Sequence, residues 1–148
     1  MSDIIIRKAE PHDEPRWREL WAGYVDFYRG SVAEEATAFT WSRILDPASN
    51  VRCLVAERDG RVEGLCNYLF HDSTWSTQPI CYLQDLFVDP KARGGGLAKK
   101  LILACEEDAK ASGAFRLYWQ TQEYNAPARS LYDTIVPRSS FIVYRKNI

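Results

Sequence analysis

The sequence predicts an α/β fold on a mixed, mostly antiparallel sheet. Runs of β-branched and aromatic residues, bounded by turn residues, alternate with segments whose apolar residues recur every three or four positions. Hairpin-type connections in the middle of the chain give way to helical crossovers later. The 148 residues fit one domain, 1–148, with no internal repeat or low-complexity tract.

Ile4-Ile5-Ile6 reads as a first strand, broken by Pro11-His12-Asp13-Glu14-Pro15. From Arg16, the residues Trp17, Leu20, Trp21, Tyr24, Phe27 and Tyr28 lie on one face of an amphipathic helix ending near Gly30. Ser31 is read as the cap of a second helix, with Glu34 and Glu35 suiting its positive end. That helix carries Phe39, Trp41 and Ile44 and stops at Asp46-Pro47. Val51 to Glu57 and Val62 to Phe70 are strands joined through Asp59-Gly60, a pair that tolerates positive φ. Ile80 to Val88 is another strand, closed by Asp89-Pro90. Leu97, Leu101, Ile102, Cys105 and Ala109 share a helix face, with Gly113 as its stop. Phe115 to Thr121 alternates as a strand. Asn125 caps a short helix with Pro127 in its first turn, and Phe141 to Tyr144 is the expected last strand.

A formal net charge of -1 argues against a general nucleic-acid binder. No apolar run is long enough to span a bilayer, and the opening residues show no signal-peptide pattern. The four cysteines, Cys53, Cys66, Cys81 and Cys105, form no C-x-x-C pair and read as reduced, mostly buried thiols rather than a zinc site. His12 and His71 lack metal-ligand spacing. A cytoplasmic setting without a metal is expected.

Most information lies in Tyr82 to Ala98, where a strand ends, a polar loop follows, and Arg93-Gly94-Gly95-Gly96 opens a helix. Glycines let backbone N–H groups approach a ligand, and a helix start adds unpaired donors and positive dipole. Together they suit a phosphate or diphosphate, with Arg93 adding charge. Neither the Walker loop nor the dinucleotide fingerprint fits.

Arg93-Gly94-Gly95-Gly96-Leu97-Ala98 resembles the pyrophosphate pattern Q/R-x-x-G-x-G/A of the GNAT superfamily of N-acetyltransferases. The preceding Leu-Gln-Asp-Leu-Phe-Val-Asp-Pro looks like that family's splayed central strand. The resemblance implies acetyl-CoA as cosubstrate, with free backbone groups around Leu86, Phe87 and Val88 binding the pantetheine arm. Downstream, Tyr118-Trp119-Gln120-Thr121 with Asn125, Ala128, Leu131 and Tyr132 is similar to the family's second cofactor-facing unit. By that likeness Asn125 contacts the cofactor, Ala128 allows close approach and Tyr132 sits near the thioester sulfur. A phenol there protonates or hydrogen-bonds the leaving thiolate; packing under the sheet is the alternative role.

The likeness is strongest to the small-amine branch of polyamine, diamine, histone-type and some D-amino-acid acetyltransferases. It departs at Thr134 to Arg138, which lacks the usual glycine, and at Gln84-Asp85, where that branch often has Glu-Asp. Asp85 is the candidate base or ammonium anchor, through water, with a structural aspartate as the alternative. Successive strand residues face opposite sides, so Gln84 and Asp85 share the site only across a bulge. Glu34 is a candidate acceptor-pocket residue or a helix-start charge. A homodimer is implied by analogy. The expected activity is direct acetyl transfer to a primary amine. Two rivals stay open: a non-catalytic acyl-CoA-binding module, and a protein lysine or N-terminal acetyltransferase.

Overall fold

The computed structural model describes residues 3–148. Five strands, β1 (Ile4–Lys8), β2 (Val51–Arg58), β3 (Arg61–His71), β4 (Ile80–Val88) and β5 (Arg116–Tyr118), lie side by side in sequence order. The first four pair antiparallel; β4 and β5 pair parallel. A parallel pair needs a crossover, and α3 (Leu97–Ala111) supplies it. The remaining helices are α1 (Glu14–Phe27), α2 (Glu34–Leu45) and α4 (Ala126–Tyr132).

Two cores sandwich the sheet. The expected α3 stripe of Leu97, Leu101, Ile102, Cys105 and Ala109 is fully buried, against Leu54, Ala56, Cys66, Tyr68 and Cys81. On the other face Trp17, Leu20 and Trp41 pack on Cys53, Val55, Leu65 and Phe87. The run Cys53-Leu54-Val55-Ala56 therefore feeds both cores alternately, which is why it reads as uninterrupted apolar sequence. All four cysteines are free and buried. Asp59 (φ 52°) and Gly60 (φ 83°) make the expected hairpin turn, and Gly113 (φ 83°) follows the end of α3.

Polar ties fix α1 to the sheet. Arg7 grips the buried Asp13 through two bonds of 2.7 and 2.9 Å and reaches Glu57 at 3.1 Å. Arg16 donates to the Val62 carbonyl and to Asp89, each at 2.7 Å.

Two features of β4 position the site. Asn67 pairs with Asp85 and Tyr68 with Leu83, so Gln84 is an extra, bulged residue. Pairing with β5 covers only Ile80, Cys81 and Tyr82, opposite Arg116, Leu117 and Tyr118. Beyond Tyr82 the two strands part.

Three expectations fail. The strand from Phe115 shrinks to Arg116–Tyr118 because its neighbour diverges and leaves Trp119 to Thr121 without a ladder. Phe141 to Tyr144 forms no strand: it finds no edge, and Phe141 and Tyr144 stay 91% and 90% exposed. Strand propensity without a partner does not make a strand. Ser31 caps nothing; α2 begins later, with Ala33 at its N-cap.

Candidate active site

The parting of β4 from β5 opens a slot. Leu83, Gln84 and Leu86 line one wall; Trp119, Gln120 and Tyr132 line the other; Tyr24 of α1 and Tyr28 at its C-cap close one end. Gln84 faces this space because the bulge interrupts the alternation of β4.

Asp85 sits just behind the slot. Its carboxylate accepts from Asn67 Nδ2 at 3.1 Å, and the Tyr24 hydroxyl lies beside it. Burial pushes Asp85 above the ordinary carboxylate range, against the pull of those two donors. The bulge thus brings both Gln84 and Asp85 to the site, one lining the slot and one behind it.

Tyr132, near the end of α4, packs edge-on against Trp119, ring centroids 5.5 Å apart. Burial raises its phenol to about 12, so it carries its proton at neutral pH. Asn125 caps α4 by accepting from the Ala128 backbone at 3.4 Å, with Pro127 in the first turn. Ala128 lies partly buried one turn before Tyr132.

The glycine turn follows β4. The Asp89 side chain accepts from Lys91 N at 2.9 Å and fixes the Pro90–Ala92 turn. Gly94 and Gly96 have φ of 91° and 78°, left-handed values that disfavour any side chain. Gly96 occupies the N-cap of α3, no side chain caps that end, and its first turn holds no acidic residue. The first amides, from Leu97 and Ala98 onward, are therefore free donors at a positive helix end. Arg93 Nε donates to Val88 O at 3.2 Å, and its guanidinium lies 5.6 Å from the Phe87 ring centroid.

Glu34 is not among the slot residues. It stands exposed in the first turn of α2, bound to Arg18 at 2.8 and 3.0 Å. Tyr24 and Tyr28 are the slot residues that the sequence conceals, because their spacing of four is also that of a core-facing helix stripe.

The slot lies beside a splayed strand that runs on into an uncapped, glycine-opened helix. The family described as Acetyltransferase (GNAT) matches residues 15–134. The chain belongs to the GNAT family. This GNAT protein is 30% identical over 146 residues to the D-amino-acid N-acetyltransferase HPA3 of Saccharomyces cerevisiae, covering 97% of this chain and 91% of that one. It is 35% identical over 94 residues to a thialysine N-epsilon-acetyltransferase of Sus scrofa, 58% of this chain and 55% of the relative. Among solved structures, aminoglycoside N-acetyltransferase AAC(6')-Iy in complex with CoA superposes with a TM-score of 0.79 at 24% identity, covering 100% of this chain and 97% of that one. The GNAT chain is an N-acetyltransferase, and its relatives place it with the small-amine branch. Among the described residues no helix is long and apolar enough to cross a membrane.

Proposed function

We propose that this enzyme moves an acetyl group from acetyl-CoA to the primary amine of a small molecule, by direct transfer within a ternary complex. One observation carries the reading: the slot left by β4 and β5 has a protonated phenol, Tyr132, on one wall and a half-buried carboxylate, Asp85, behind the other. The chain's residues fit acetyl-CoA. Past Tyr82 the β4 edge has no partner from β5, which supports backbone groups around Leu86, Phe87 and Val88 as the pantetheine site, with the Val88 carbonyl already accepting from Arg93. The backbone from Arg93 to Ala98 offers an uncapped cradle to a diphosphate. Ala128 and Asn125 border the same wall.

Acetyl-CoA supplies the activated thioester. Tyr132 holds the proton that the departing thiolate needs. Asp85, kept high by burial, accepts the proton of the acceptor ammonium, directly or through water, and Gln84 orients the acceptor in the slot. Because Asp85 must be deprotonated to act, turnover rises with pH through a value above the usual carboxylate range, and Asp85→Asn removes that limb. The relatives named for D-amino acids and thialysine support an amine-bearing amino acid or similar small amine as acceptor. A homodimer in the cytoplasm, with no nucleic-acid or membrane partner and no metal, completes the proposal.

The test is thiol release from acetyl-CoA across polyamines, lysine analogues, both amino-acid enantiomers and a histone-tail peptide. A small-amine hit supports the reading; turnover on the peptide alone shifts it to a protein acetyltransferase. Cofactor binding by calorimetry with no turnover leaves the binding-module alternative.

A further inference from the structure

We infer that Arg58, whose guanidinium packs beside Gly95, is a phosphate-binding residue of the cofactor site. The inference rests on the acetyl-CoA reading above. β2 and β4 both run antiparallel to β3, so Arg58, the last residue of β2, lies at the same end of the sheet as the glycine turn. Gly94 and Gly96 have left-handed backbone angles; Gly95 does not. A Cβ at Gly95 would stand 2.7 Å from Arg58 Nη1, closer than non-bonded atoms approach. The missing side chain therefore makes room for the guanidinium against the turn.

No acidic side chain balances that charge: among the described residues no carboxylate pairs with Arg58. Its partner across the hairpin is another cation, Arg61, which is itself engaged with Glu63 at 3.4 Å. The adjacent start of α3 is positive, uncapped and without acidic residues in its first turn. A guanidinium beside Gly95 and an uncapped helix start one residue on present like-signed charge to the same space, and a phosphate there draws on both. The cation of the motif, Arg93, donates its Nε to Val88 O and lies near the Phe87 ring. Arg58 brings a second side-chain charge to the turn from β2. The ligand chemistry is a phosphate of CoA, either the diphosphate or the ribose 3′-phosphate.

The experiment is calorimetric binding of CoA and dephospho-CoA to wild type, Arg58→Gln, Gly95→Ala and the double variant, with thermal melts to confirm folding. Arg58→Gln should weaken CoA about ten-fold, the loss of one charge-assisted contact. An equal loss with dephospho-CoA assigns the diphosphate; a loss confined to CoA assigns the 3′-phosphate. Gly95→Ala, which displaces the guanidinium without removing it, should weaken CoA in wild type and add nothing in the Arg58→Gln background. The wild-type dissociation constant should also rise more steeply with salt than that of Arg58→Gln. Unimpaired binding by Arg58→Gln, or parallel salt dependence, overturns the inference while leaving the acetyl-CoA reading intact. Wild-type protein that binds neither ligand overturns the acetyl-CoA reading and this inference with it.

Discussion

Along one side of the slot β4 runs nine residues, laddered to β3 and covered by α1 and α3; along the other, a three-residue strand leads to the seven-residue α4, none of whose residues is buried. The difference is one of support. Leu83, Phe87 and Val88 are anchored in cores on both faces, whereas Trp119 and Tyr132 lean on the edge of one core. Local opening is cheapest where few apolar contacts must break, so the wall bearing Tyr132 is the soft one. A ligand that bridges the walls stabilises the soft wall most, because it binds the closed form.

The largest expected effect breaks the firm wall's support. Leu101 is fully buried under the sheet, and Leu101→Ala should cost about 3 kcal/mol in denaturant melts. Leu131→Ala, at a half-buried site of α4, should cost about 1 kcal/mol. Equal losses would erase the contrast between the walls.

Next comes the tie that holds the start of α1 to β1 and β2. Asp13 is buried, which raises its pKa, yet the Arg7 bonds outweigh this and hold it below the ordinary carboxylate range. A depressed carboxylate contributes stability above its unfolded pKa and loses it as pH falls through the folded value. Acid titration below about pH 4 should therefore destabilise wild type more steeply than Asp13→Asn, which at neutral pH is itself weaker by about 2 kcal/mol. A variant with the wild-type acid slope would contradict the assignment.

The smallest effect belongs to the soft wall alone. Asn125→Ala removes the α4 cap, worth about 1 kcal/mol, and should speed hydrogen exchange at α4 amides about five-fold while those of β4 are unchanged.

The same contrast explains what was legible in the sequence. β4 and α3 announce themselves: a strand run stopped by Asp89-Pro90, then glycines, then a strict apolar stripe, each written in neighbouring residues. The site motifs lie there and at Asn125 to Tyr132, so both walls could be named. The bulge at Gln84 could be named only as a condition, because it exists in the register with Asn67 and Tyr68. Arg58 was hidden for the same reason: its place at Gly95 depends on how β2 ends in space. Phe141 to Tyr144 misled in the opposite sense, since its local β-propensity is genuine and the missing element is a partner edge.

The central claim is that Tyr132 acts on the leaving thiolate from the slot's soft wall. Steady-state turnover of Tyr132→Phe, with CoA affinity measured alongside, tests it most directly. The account predicts a fall in kcat of about 100-fold with CoA binding within about two-fold of wild type. Turnover preserved in Tyr132→Phe would contradict it and return Tyr132 to a packing role against Trp119.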